Sequence, residues 1–469
     1  MNPETWYDLR DLRTDSCEFV NDGYKAAEVA VFVSEDIADI RVQAMCRVSM
    51  LMLARWCRRI SLFSSDAASR LPGENGTFLE LLTSMVHASD PQCQLVVNPS
   101  NWSAKASLFV GSADEDHAGD FVAINGVGWS AGVTYNQPFL SSSGAANDLL
   151  VGPCFAACLG NAELFRYFTG RRPRPYAKWY SLWENEVYDG YCPPSKAPTI
   201  GEVNLGRVHL VGCGSIGSSF AYFLPYFPLR GEWLLVDPDK VEGQNTSSSL
   251  LFTAKHARRS IGKTLCLKEY LHAVGIQVQA FEDEYSRWAY DHEKRDLHSA
   301  DVILCFANEH NIWNTIQQLY PPVCFHATTS KSWGLHIGRH IPLIENCIMC
   351  TFKDLAAIVY VPRCAEGELP GGPDNGSQKD KSEHTAILPF LAPAAAILTI
   401  SELIKALGTD QPFKDNTTEF NMSTFEGVFL GSFQRSGNCH ICSHQAPLYT
   451  EFGPVGAHWH LSQMTASAP

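Results

Sequence analysis

Arg207-Val-His-Leu-Val-Gly-Cys-Gly-Ser-Ile-Gly217, then Ser218-Ser-Phe-Ala-Tyr-Phe-Leu-Pro-Tyr226, then Glu232-Trp-Leu-Leu-Val-Asp237, is the stretch that decides the fold. The first five residues form a short apolar strand, and the segment after Gly217 carries an apolar helical pattern. Glu232 to Val236 is a second strand, ended by Asp237. Strand, glycine turn, helix and strand in that order make one βαβ unit. Gly212, Gly214 and Gly217 have the spacing that lets backbone approach a phosphate at a helix N-terminus, where amides and the helix dipole attract an anion. Asp237 follows at the distance expected of an acid that bonds a ribose hydroxyl. A tight structural turn is the plainer reading of the same glycines, and the pattern alone does not separate ATP from NAD.

Outward from this unit, Lys263 to Ala273 is helical in pattern and Asp301-Val-Ile-Leu-Cys-Phe306 is a further strand. The expectation is an α/β domain with a doubly wound, mostly parallel sheet. The run Asp237-Pro-Asp-Lys-Val-Glu-Gly-Gln-Asn245 comes next. It resembles the Asp-x-Asp-x-Val then Asn signature of adenylating enzymes of the ThiF/MoeB superfamily, which includes ubiquitin-activating enzymes. Bacterial enzymes that activate sulfur-carrier proteins for molybdopterin and thiamine synthesis carry it too. By the resemblance, Asp237 holds the ribose of ATP, while Asp239 and Asn245 line the triphosphate side with Mg2+. Asp and Asn also favour caps and turns at strand ends, which is the competing reading.

Cys347-Ile-Met-Cys350 and Cys439-His-Ile-Cys442 form paired CxxC motifs. Four thiolates in two such pairs suit one tetrahedral, structural Zn2+ that staples distant parts of the chain together. Redox dithiols or unrelated buried cysteines are the alternative, with His440 and His444 as bystanders. The resemblance extends to this order of zinc ligands. Between the pairs stands Val361-Pro-Arg-Cys-Ala-Glu366, and Cys364 looks like the thioester cysteine of these enzymes. A thiol is activated by a nearby cation or a helix N-terminus, and Arg363 is such a cation by sequence. A buried, inert Cys364 is the plain alternative. The stretch Gly367 to Ser382, rich in Gly, Pro, Asp and Lys, reads as a mobile part of a crossover loop spanning 364–384. His384 to Lys405 then reads as an apolar helix, whose Glu402 and Lys405 match a Glu-x-x-Lys ending in the family.

Three positions depart from the family. Ser248 and Ser249 stand where an Arg and a Gln meet the phosphates. Lys263, the expected catalytic lysine, comes two positions early, leaving Leu265 in its place. The metal-binding Asp becomes Asn308, followed by Glu309. Catalysis at a phosphate is chiefly charge placement. Lys255, Arg258, Arg259, Lys263, Glu309 or the N-terminal half would therefore have to compensate, failing which the chain is an inactive scaffold.

The N-terminal half shows a similar rhythm without the glycines. Ala27 to Val33, Ile60 to Phe63, Gln94 to Val97 and Ala106 to Val110 read as strands. Ile40 to Arg58 reads as one long helix and Cys154 to Phe168 as another, after Asn147 to Pro153. The proline-containing stretch Arg172 to Pro198 reads as a connector. These boundaries give a degenerate adenylation-like domain over 1–195 and an active one over 196–469, paired as an internal pseudodimer in a monomer, or else in a homodimer.

Composition excludes other classes. A net charge of −14 argues against nucleic-acid binding, which needs a basic stripe. Met50 to Ala54 and Ala392 to Ile400 are apolar but short for a membrane span. Met1 to Thr5 lacks a basic-then-apolar pattern, and most of the sixteen cysteines sit singly in apolar runs, so a cytoplasmic chain is expected. The function that follows from the resemblance is ATP-dependent activation of the C-terminal tail of a ubiquitin-like protein, with transfer to a conjugating, E2-like enzyme. Compact size, without a large inserted cysteine domain, resembles the activating enzymes of bacterial ubiquitin-like conjugation (anti-phage defence) operons. An NAD-dependent oxidoreductase is the alternative of another class.

Overall fold

The computed structural model describes residues 3–111, 117, 119–139, 149–319, 321–342, 345–351, 386–409, 415–425, 428–431 and 439. Cys364, His384, His440, Cys442, His444, Asn147 and the loop 364–384 lie outside the described residues. The strands of the first half are β1 (Glu28–Val33), β2 (Arg59–Phe63), β3 (Gln94–Val97), β4 (Ala106–Val110), β5 (Asp120–Val127), β6 (Ser130–Tyr135), β7 (Tyr176–Ser181) and β8 (Glu186–Asp189). Those of the second are β9 (Val203–Val211), β10 (Leu229–Val236), β11 (Val278–Phe281), β12 (Val302–Cys305), β13 (Val323–Thr329), β14 (Gly334–His340), β15 (Thr417–Asn421) and β16 (Val428–Gly431).

Each half builds an eight-stranded sheet, and the two have the same strand order: β3-β2-β1-β4-β5-β6-β7-β8 and β11-β10-β9-β12-β13-β14-β15-β16. In both, the first five strands of that order pair in parallel and the remaining three add on antiparallel. The parallel part is the expected sheet.

Three expectations need correction. Arg172 to Pro198 is no mere connector, because β7 and β8 lie inside it and close the first sheet. Tyr176-Ala-Lys-Trp-Tyr-Ser is rich in aromatic residues that suit a strand and pairs with β6, while the prolines only flank it. The helix expected over Ile40 to Arg58 ends at Leu53; its Asp39 cap accepts the Arg41 amide, and a turn at Ala54–Trp56 leads to β2. The apolar segment from Ala392 continues to Gly408, so that helix has the length and hydropathy of a membrane span; 78% of it is nonetheless buried inside the protein.

The helices are α1 (Pro3–Asp15), α2 (Ile40–Leu53), α3 (Phe78–Ser89), α4 (Val151–Phe168), α5 (Ser215–Phe223), α6 (Ala254–Arg259), α7 (Lys263–Ala273), α8 (Tyr285–Trp288), α9 (His310–Gln318), α10 (Ile348–Thr351) and α11 (Leu391–Gly408). α2 and α4 line the inner face of the first sheet, and α5 and α11 that of the second. Every side chain of α4 except Arg166 is buried. Phe165 on α4 meets Phe390, just before α11, at 5.7 Å between ring centres, and Phe155 meets Phe420 of β15 at the same distance. One apolar cluster therefore runs through both halves. Edge-on ring pairs of this kind favour a defined packing over a merely greasy one.

Candidate active site

The trailing ends of β10, β9 and β12 meet where the strand order reverses, the position at which open α/β sheets form a ligand crevice. The three glycines there do different jobs. Gly212 has φ +89°, and a Cβ on it would lie 2.6 Å from the Ala307 amide nitrogen. A Cβ on Gly217 would overlap the Gly212 carbonyl. Both are demanded by the fold itself. Gly214 is not: its Cβ would meet nothing within 4 Å. It is the N-cap of α5. A glycine with no neighbour to avoid, at a helix N-terminus, leaves backbone accessible to an anion.

Asp237 ties the turn down. One carboxylate oxygen accepts the Cys213 amide at 2.6 Å and the other the Asp239 amide at 2.8 Å. Burial pushes its pKa up, against the pull of the Lys263 ammonium. The Lys263 ammonium donates to Asp239 at 2.6 Å, and the Lys263 amide to the Asp239 carbonyl at 2.9 Å. Burial disfavours that charge, but Asp237 and Asp239 outweigh it and hold the lysine above its ordinary range. The displaced lysine thus reaches the acids from the first turn of α7, while Leu265 is exposed. Glu309 joins the group. Its pKa is raised by burial and by repulsion from Asp237 and Asp239, and it accepts the amide of exposed Asn308 at 3.1 Å. Asn245 has a plainer, local role. Its side-chain oxygen accepts the Glu242 amide at 2.8 Å and caps the 3-10 turn Gly243–Ser247.

The sequence reading missed Arg13. α1 packs on the Gly243–Ser247 turn. From it the Arg13 guanidinium donates to Ser215 at 3.2 Å and Ser248 at 3.3 Å, and those two hydroxyls bond each other at 2.6 Å. Ser248, where the resemblance expects an arginine, is short and fully buried. The space it leaves beside the start of α5 holds a guanidinium from the other half of the chain. No local pattern marks Arg13, because its partners stand 202 and 235 residues away. Ser249 bonds Ser218 at 2.7 Å, and its carbonyl accepts from the buried Arg55 of the first half. Lys255, Arg258 and Arg259 are exposed on α6. Glu402 and Lys405 pair at 2.7 Å, and Lys405 also donates to Asn185 of the first half at 3.1 Å, so this motif fastens the two halves.

Cys347, Cys350 and Cys439 come together on the outer side of the second sheet, all buried. Their sulfurs stand 3.7 Å (Cys347–Cys350) and 3.6 Å (Cys347–Cys439) apart. Corners of a tetrahedron around zinc, with Zn–S near 2.3 Å, lie about 3.8 Å apart. Three of the four expected thiols thus fit that geometry.

Among curated proteins, the chain is similar to the uncharacterized protein y4jF of Sinorhizobium fredii (strain NBRC 101917 / NGR234), at 25% identity over 244 residues. The match covers 51% of this chain and 44% of the relative. The chain therefore spans less than half the length of that protein. Among solved structures it is similar to E. coli MccB with ATP, at 18% identity, covering 50% of this chain and 67% of the other with a TM-score of 0.37. The same enzyme with AMPCPP and selenomethionine MccA gives 18%, 50%, 66% and 0.37. The ThiF family model matches residues 201–441, more than half of the chain and all of the glycine-turn unit, and the chain belongs to the ThiF family.

Proposed function

We propose that this protein adenylates the C-terminal carboxylate of a ubiquitin-like protein with ATP and then takes the acyl group onto Cys364, for transfer to the cysteine of a conjugating, E2-like enzyme. The observation that carries the first step is the open Gly214 at the start of α5, beside Asp237 and between Lys263 and Arg13. In that step a carboxylate oxygen attacks the α-phosphorus. The bond to the β-phosphate oxygen breaks and pyrophosphate leaves with the electron pair. Asp237 holds the ribose, the amides of α5 face the phosphates, and Lys263 and Arg13 offset the charge that builds up. Asp239 and Glu309 are the carboxylates that would hold Mg2+, which supplies further charge neutralisation. In the second step the Cys364 thiolate attacks the acyl carbon and AMP departs.

The first half acts in this reading as a degenerate adenylation-like domain that contributes Arg13, and the pair functions as a monomer in the cytoplasm. Cys347, Cys350, Cys439 and Cys442 would bind Zn2+ as a structural ion. The test is pyrophosphate exchange dependent on a small glycine-ending modifier encoded nearby, together with a reducible adduct on a gel. Cys364→Ala should remove the adduct and spare exchange, and an adduct that persists takes Cys364 out of the role. Thermal shift with NAD in place of ATP–Mg2+ separates the oxidoreductase, which would respond to NAD alone.

A further inference from the structure

A second cleft, about 420 Å3, opens at the leading ends of β1, β2 and β3, away from the crevice at the trailing ends of β9 and β10. Its polar lining is Tyr7, Lys25, Arg58, Arg59, Gln92 and Gln94. In a chain with a net charge of −14, three cations and no carboxylate among the described lining residues is an anomaly. The volume lies within the range of small-ligand sites.

The acids that balance these cations stand around the cleft. Lys25 pairs with Asp15 at 2.9 Å and Asp22 at 2.7 Å, Arg58 with Asp11 at 3.1 Å, and Arg59 with Glu28. Apart from Asp11, which is buried, these partners are at least partly open to water, where such pairs contribute about 1 kcal/mol or less. An incoming anion can therefore compete with them. The Arg58 guanidinium lies 4.0 Å from the centre of the Tyr7 ring, which orients it, and its Nε is a buried donor with no acceptor. Two guanidiniums offer forked donors to oxyanions, Lys25 adds a point charge, and the two glutamines add neutral donors. The two guanidiniums present two separate forks, so a ligand with two oxyanion groups can engage both at once.

We infer that this cleft binds a small phosphorylated anion with at least two negative charges, of the pyrophosphate or nucleoside diphosphate class, between Lys25, Arg58 and Arg59. The anion competes there with Asp11 and Asp15, carboxylates of the helix that also bears Arg13.

The experiment is calorimetric titration of the full chain with inorganic pyrophosphate in magnesium-free, low-salt buffer. It is run on the Gly214→Val background, which closes the glycine-turn pocket and makes the result independent of the adenylation reading. Binding should persist in that background. Adding Arg59→Glu, at an exposed side chain, should weaken it at least tenfold, and adding Asp15→Asn should tighten it severalfold by freeing Lys25. Absence of binding, or binding indifferent to Arg59→Glu, overturns the assignment. Weaker binding in Asp15→Asn does so as well.

Discussion

The two sheets repeat one strand order, yet the turn after the central strand differs completely between them. After β9 comes Gly212-Cys-Gly-Ser-Ile-Gly217, with open space over Gly214; after β1 comes Ser34-Glu-Asp-Ile-Ala-Asp39. In the first half the Glu35 side chain lies against Gly111, so that a Cβ there would fall 2.5 Å from the Glu35 Cγ. Burial raises the Glu35 pKa, and Asn125 donates to it at 3.2 Å. Asp39 caps α2 itself. A phosphate approaching α2 would meet carboxylates where one approaching α5 meets amides. Strand order therefore sets where a crevice lies, while half a dozen turn residues set whether an anion can enter it. What the first half does place beside α5 is Arg13, on Ser215 and Ser248.

The largest expected effect tests the outer layers, where the halves also diverge. The second sheet is covered by α8, α9 and α10 with the thiol cluster; the first carries a ring cluster in which Phe32 stacks on Phe63 at 4.6 Å and on Phe109 at 5.0 Å. If zinc holds the thiols, its apparent contribution is on the order of 10 kcal/mol. Purified protein should contain one equivalent, and Cys439→Ser should lower it. Chelation should raise amide exchange in β12 to α10 well before β1 to β4, and equal exchange in both halves would break the comparison. Next, Arg13→Ala should slow modifier-dependent pyrophosphate exchange by about a hundredfold or more, as expected on losing a charge that faces the transferring phosphate. ATP binding should be largely kept, whereas Glu35→Gln should leave exchange unchanged.

A smaller effect separates the glycines. Gly217→Ala should destabilise by about 1–3 kcal/mol, the range for overpacking. Gly214→Ala should melt like the parent yet bind ATP roughly tenfold more weakly, as a methyl obstructs close approach to the amides. The last is a pH effect carried by β9 of the second half. His209 on β9 bonds the Tyr285 hydroxyl and the Leu297 carbonyl, each at 2.9 Å, and burial lowers its pKa to about 4. Its folded value is depressed, so the unfolded chain binds the proton first. Stability should fall as pH drops from about 6.5 to about 4, by up to about 3 kcal/mol, and His209→Gln should flatten that slope in acid melts. β1, the strand equivalent to β9, has no histidine and makes no such contribution.

The unit from Arg207 to Asp237 and the helix Lys263–Ala273 were legible because their signals are local: glycine spacing, a strand-length apolar run and a helical period. β5 to β8 were hidden for a different reason. Most of β5 and all of β6 are buried, so they lack alternation, and the prolines around β7 mimic a linker. In the site, Gly212, Gly217, Asp237, Asp239 and Lys263 stand together, whereas Asn245 serves its own turn. Arg13 was invisible because what selects it is a cavity left by Ser248 in a distant segment, and a single sequence records no such pairing.

That pairing has a consequence for biosynthesis. Arg13 leaves the ribosome 235 residues ahead of Ser248. At ordinary elongation rates of about 5–20 residues per second the delay is roughly 12–47 s. Throughout that interval α1 can dock on the first half alone, through Trp6 and Arg10 on Asp90, while the bond that ties its Arg13 end to the second half waits for the Ser248 hydroxyl.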